Sequence, residues 1–160
     1  MLKSRFIYIS PFSYLLLTAC GGGGGGFSSR NIEIGGNVVK GPLNNATVFV
    51  DYNANGILDT NEPSTKTDVN GGFSLTTTDA TAQIVAITDS NTIDTSTGNV
   101  LDGVILKAPG GSTVVSPSST LIQESGLTAS QVASALDLSD VDILNFNPYA
   151  SGVDASKALK

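Results

Sequence analysis

The apolar positions of this chain fall mostly in short runs of strand length. Ile32, Ile34, Val38 and Val39 mark a first strand and "ATVFV", residues 46–50, a second. "KGPLNN" turns between them, since Gly-Pro frees and then fixes φ while Asn tolerates left-handed backbone. "TKTDVNGGFSL" leads through Asn70-Gly71-Gly72, a hairpin-like turn, into an alternating strand over residues 73–77. "AQIVAITDS" is a continuous apolar run, as expected of a strand buried on both faces. "VLDGVILKAP" and "STVVS" supply two more. Strands at this spacing, separated by Gly, Asn and Asp turns, predict a mainly β fold of the β-sandwich kind over residues 31–116.

The pattern changes at Ser116-Pro117. Serine as N-cap and proline at the first helical position open "PSSTLIQES", and Gly126 ends it. "LTASQVASALDL" follows with Thr128 as N-cap and Gln131 three residues on, which is a capping box. Its apolar stripe, Val132 and Leu136, is narrow. Residues 117–160 are therefore expected to be a short helical appendage packing on something outside this chain. The last residues resemble the first turns of a third helix with no stop signal, as in a fragment of a longer protein. No internal repeat is visible.

Composition sharpens the class. The chain has no histidine and no tryptophan, few Lys and Arg, and many Thr, Ser, Asn, Asp and Gly. Its net charge is −6. Removal of the segment that holds Lys3 and Arg5 leaves six basic and fourteen acidic side chains. A surface of that sign does not neutralise phosphates, so nucleic acid is not an expected partner.

The N-terminus reads as an address. "MLKSR" is a basic region and "FIYISPFSYLLL" an apolar one, too short and too interrupted for a spanning helix. Leu17-Thr18-Ala19-Cys20 has the pattern of a bacterial lipobox: a large apolar residue, two small ones, then the cysteine whose thiol takes a diacylglyceryl group. Residues 1–19 are read as a lipoprotein signal peptide and residues 20–30, with six consecutive glycines, as the lipidated Cys20 and a flexible tether. No aspartate stands just after Cys20, so inner-membrane retention is not signalled. A lipid-anchored position at the outer membrane or cell surface of a Gram-negative bacterium is expected, on either its outer or its periplasmic face.

One motif carries chemistry. In "DYNANGILDTNE", residues 51–62, oxygen-bearing side chains occupy positions 1, 3, 5, 9 and 12 of a twelve-residue calcium loop: Asp51, Asn53, Asn55, Asp59 and Glu62. Gly56 takes position 6, where the chain must turn, and Ile57 at position 7 can offer its backbone carbonyl. Strand-like stretches flank the loop instead of helices. Calcium responds to oxygen positions and not to what flanks them, so the loop remains a candidate Ca2+ site. Asp68 is a further candidate oxygen.

The stretch "GNVVKGPLNNATVFVDYNANGILDTNEPSTKTDVNGGFSL" resembles the calcium-associated B-type repeats of bacterial surface adhesins, the Cna-B-like or carboxypeptidase-regulatory-like domains. "NVLDGVILKAPGGSTVVSPSSTLIQESGLTASQVASALDL" with "VDILNFNP" is similar to a tail of large surface proteins from environmental Gram-negative bacteria, with Ser118 and Asn147 where that tail has Leu and Asp. Together the two resemblances cover most of residues 32–148. They imply a transthyretin/Cna-B-like β-sandwich stiffened by calcium at Asp51, Asn53, Asn55, Ile57, Asp59 and Glu62, with a structural or adhesive role.

Catalytic constellations are few. Without histidine no Ser-His-Asp or Cys-His set can form, and Cys20 is spoken for by lipid. The glycine run has no Lys-Ser/Thr after it to hold phosphate. Asp140 and Asp142 alternate in an expected loop, where capping or solvation explains them. The chain is thus expected not to be an enzyme. Two alternatives are a carbohydrate-binding module, for which Tyr52 and Tyr149 are the candidate aromatics, and an accessory domain of a larger glycan-processing surface protein. A surface protein or a glycan is the expected partner class beside the membrane.

Overall fold

The computed structural model describes residues 30–150. Residues 1–19, read above as a signal peptide, Cys20, the glycine run and the stretch after residue 150 lie outside the described residues. In chain order the elements are β1 (Ile32–Val38), β2 (Leu43–Asn44), β3 (Thr47–Asp51), β4 (Ser64–Lys66), β5 (Gly72–Thr77), β6 (Gln83–Ile87), β7 (Ile93–Asp94), β8 (Asn99–Val100), β9 (Ile105–Ala108) and β10 (Val114–Val115), then α1 (Pro117–Ser125) and α2 (Ala129–Ala135).

The fold is mainly β, with two principal sheets and a small third one. The first has the order β10-β1-β5, with β1 parallel to β10 and antiparallel to β5. The second is antiparallel, in the order β4-β3-β6-β9. Their inward faces share one core. Val38, Phe73, Leu75 and Val115 come from the first sheet, and Val48, Val50, Ile84, Ala86, Leu106 and Ala108 from the second. The sandwich follows from period-two alternation on each strand. Each fully buried Val, Leu or Ile in this layer contributes about 1.5–3 kcal/mol relative to exposure.

The run "QIVAI" is buried on both faces over its first four residues because β6 sits between β3 and β9. Phe49 and Val85 pair across β3 and β6, and both are completely buried yet outside the inter-sheet cluster. They therefore lie on the second sheet's other face. Gly36 lies against the chain just before β10: a Cβ there would collide with the Thr113 backbone, so any side chain would push the two segments apart.

Two expectations are corrected. The Asn70-Gly71-Gly72 turn does not close a hairpin, since β4 pairs with β3 while β5 pairs with β1. It carries the chain from one sheet to the other. Asp68 shapes that corner by accepting the Asn70 and Gly72 N–H groups, each at 2.8 Å, and the Val38 N–H docks on the Gly71 carbonyl.

The helices, secondly, pack on this chain rather than on something outside it. Among the described residues the outer edge of β9 has no strand partner, and α1 supplies hydroxyls in its place. The Lys107 N–H donates to Thr120 Oγ1 at 2.8 Å, and the Lys107 carbonyl accepts from Ser119 Oγ at 2.7 Å. Ile122, Val132, Ala133 and Ile143 form a second core, which the Leu144 carbonyl ties to the Thr113 and Val114 N–H groups. The caps themselves are those expected: Ser116 with Pro117 and Gly126 (φ 69°) for α1, and the Thr128–Gln131 box for α2. No helix among the described residues is long and apolar enough to cross a membrane.

Candidate metal centre

Strand β3 delivers Asp51 to the start of the loop, in register with Gln83 on β6. Its side chain is 1% exposed. Oδ2 accepts from the Gly56 N–H at 2.6 Å and from Gln83 Nε2 at 2.6 Å, while Oδ1 accepts from the Asn55 N–H at 3.2 Å. Burial pushes the carboxyl pKa up. The hydrogen bonds from Gly56, Gln83, Asn55 and Ala54 outweigh it and hold the group below the usual carboxylate range. The residue that opens the loop is thus a buried anion held by donors.

Glu62 closes the loop from the other end and is also buried. Oε1 accepts from the Tyr52 N–H at 2.9 Å and Oε2 from the Asp59 N–H at 3.0 Å, so one carboxylate clamps positions 2 and 9. Between these anchors the chain coils through two left-handed residues, Ala54 (φ 58°) and Gly56 (φ 74°). Asn53 Oδ1 accepts from the Asn55 N–H, and Asn55 Oδ1 from the Ile57 N–H, two nested Asx turns that set the coil. The amide nitrogens of Asn53 and Asn55 both donate to Asp59 Oδ2, at 2.8 and 2.9 Å. The side chains at positions 3, 5 and 9 therefore meet at one oxygen. Ile57 is 64% exposed, and since its side chain carries no ligating atom only its carbonyl could serve a metal.

The loop thus gathers Asp51, Asn53, Asn55, Asp59 and Glu62 into one connected network. Asp68 is not part of it: that carboxylate is exposed and occupied with its own turn. Asp142 accepts from the Leu144 N–H and Asn145 Nδ2, in keeping with a capping role, and Asp140 is exposed. Tyr52 offers no open platform. Its ring packs on the inter-sheet core and its hydroxyl hydrogen-bonds Thr77 Oγ1 at 2.9 Å. Tyr149 is half exposed and lines a cleft of about 330 Å³ with Val39, Lys40 and Phe146. Two residues of the loop's surroundings escaped the sequence reading, Gln83 and Lys107. No local signal marks either, since strand register alone brings them beside the loop.

The donor set fits a hard divalent cation. Every side-chain ligand is an oxygen, and the two asparagine oxygens each spend one lone pair on an Asx turn and keep another. Among the described residues no three carboxylate, imidazole or thiol side chains gather into a ligand group, so amide and carbonyl oxygens would have to complete the coordination. Comparison of the chain with family models, with curated proteins and with solved structures finds no match.

Proposed function

We propose that residues 51–62 bind calcium and that the chain is a lipid-anchored surface module of a Gram-negative bacterium with a structural or adhesive role. What supports the metal reading is the order of oxygen-bearing side chains along a loop clamped at both ends by buried acids. The amide N–H groups of Asn53 and Asn55 donate to Asp59 Oδ2, and the ion would have to displace them. Asp51, Asn53, Asn55, Asp59 and Glu62 would hold the ion by side chain and Ile57 by its carbonyl. The loop's three carboxylates would attract a divalent cation, but they do not gather into one group, so the ion would have to draw them together. Two neutral amides and the need to displace existing hydrogen bonds lower the gain, so a dissociation constant of about 10⁻⁴–10⁻³ M is expected, as in extracellular modules. The lipid anchor at Cys20 and the surface location rest on the lipobox, and the adhesive role on the resemblance of residues 32–148 to B-type surface repeats.

The mechanism is metal-linked ordering. The ion binds the folded loop and not the unfolded chain, so stability rises with calcium by mass action, by about 1 kcal/mol at five times the dissociation constant. It would fix the connection between β3 and β4 and hence the edge of the second sheet. The test is a thermal melt of the full chain in detergent as calcium is raised from chelator to several millimolar. The midpoint should climb for the wild type and stay flat for Asp51→Ala and Glu62→Ala. A wild-type midpoint indifferent to calcium over that range would reduce the loop to a turn.

The carbohydrate-binding alternative draws on the cleft beside Tyr149 and Phe146. Saturable glycan binding abolished by Tyr149→Ala, with no calcium response, would favour it.

A further inference from the structure

The outward face of the second sheet carries a cation beside the loop. The pairs Phe49–Val85 and Val85–Lys107 are in register, as are Asp51 and Gln83. By the alternation of the strands, Lys107 therefore points to the same side as Asp51. A Cβ placed on Gly56 would lie 3.5 Å from Lys107 Nζ and 3.6 Å from its Cε, so the ammonium group stands against the turn at position 6. The Lys107 side chain is 22% exposed, and its nitrogen is bonded to Glu124 Oε1 of α1 at 2.7 Å.

Lys107 is not needed to neutralise the loop's acids. Asp51 takes its hydrogen bonds from Gly56, Gln83 and Asn55, Glu62 from Tyr52 and Asp59, and Asp59 from Asn53 and Asn55. Its partner is on the helix. A fixed positive charge next to a cation loop, itself half-cancelled by a carboxylate from another element, acts on any ion that enters.

We infer that Lys107 and Glu124 set the calcium affinity of the 51–62 loop, the lysine weakening it and the glutamate offsetting the lysine. The inference rests on the calcium reading above. Lys107 is a tuning residue and not a ligand: from beside Gly56 its ammonium group repels the ion over a range set by the Debye length, about 8 Å at physiological salt. Because Glu124 belongs to α1, the seating of that helix and the occupancy of the loop are linked, and each should favour the other.

The predicted effects differ in sign. In calorimetric calcium titration of the full chain, Lys107→Met should tighten binding about 5- to 10-fold, the stem being retained so that packing survives. Glu124→Gln should weaken it about 2- to 3-fold, less because that carboxylate is more exposed and better screened. The double variant should bind about 2- to 5-fold tighter than wild type, since the two effects multiply, and the Lys107→Met gain should shrink as salt is raised. Melting in chelator, run beside each titration, reads out packing alone. Variants that shift the melt but leave the affinity within 2-fold of wild type would overturn the inference and leave the calcium reading standing. A wild type that takes up no calcium would overturn both.

Discussion

The sharpest consequence of the loop's construction concerns Asp51 in the absence of any metal. Substituting alanine removes the acceptor of three hydrogen bonds, from Gly56 N, Asn55 N and Gln83 Nε2. Bonds to a charged acceptor contribute about 1.5–3 kcal/mol each, and a buried donor left without a partner costs about 1–3 kcal/mol. The amide groups on the exposed coil can turn to water. Gln83, only 8% exposed, cannot do so freely. The net loss should therefore be about 3 kcal/mol, a large part of the ~5–15 kcal/mol that holds a domain of this size together. Asp51→Asn keeps one acceptor oxygen, and the Gln83 amide can reverse to meet the new NH₂, so about half that loss is expected.

Urea denaturation in chelator, followed by linear extrapolation, measures both. With a slope near ~1.5 kcal/mol/M the alanine midpoint should fall by roughly 2 M. Acid gives an independent reading. The folded pKa of Asp51 lies below the unfolded one, so its stabilising share is complete above the unfolded value of about 3.9 and is lost as pH falls through the folded value. The gap between wild type and Asp51→Asn should stay constant from pH 7 to about 4 and close below that. An alanine variant within about 1 kcal/mol of wild type at pH 7, or a gap unchanged in acid, would refute the picture of a buried anion held by loop and sheet.

Two further substitutions test local geometry. Gly56→Ala meets no clash, since Lys107 lies at ordinary contact distance, but it must hold φ near 74°; a loss of about 1–2 kcal/mol is expected from the same urea titration. Ser119→Ala removes a fully buried hydroxyl that accepts from the Ser116 N–H and donates to the Lys107 carbonyl, so a loss of about 1–3 kcal/mol should appear together with faster amide exchange at Ser116 and along β9.

The elements that could be read from the chain are those whose causes lie within a few residues. Ser116, Pro117 and Gly126 set the ends of α1 by satisfying or stopping nearby backbone groups, and Thr128 with Gln131 does so for α2. The longer strands announced themselves through short apolar runs, and β6 through one too apolar to show a polar face, whereas β2, which falls in the expected turn "KGPLNN", and the short β4 and β7 did not. The ligand order of residues 51–62 was legible for the same reason: the Asx turns of Asn53 and Asn55 and the left-handed Gly56 are made by neighbours.

What could not be read depends on residues far apart in the chain. "TDVNGG" is locally a tight turn in either case. Whether it joins two paired strands or crosses between sheets is decided by which partner each strand finds, and β5 finds β1 thirty-five or more residues away along its whole length. The helices looked unpartnered because their apolar stripe is narrow; α1 attaches through the hydroxyls of Ser119 and Thr120, whose use appears only once β9 offers a bare edge, and α2 joins it through the small core of Ile122, Val132, Ala133 and Ile143. Gln83 and Lys107 reach the loop through register alone. Local chemistry, acting over about four residues, determined the caps, the turns and the order of oxygens in the loop. The tertiary structure decided what stands beside them, because strand pairing follows from how the whole chain buries its apolar faces.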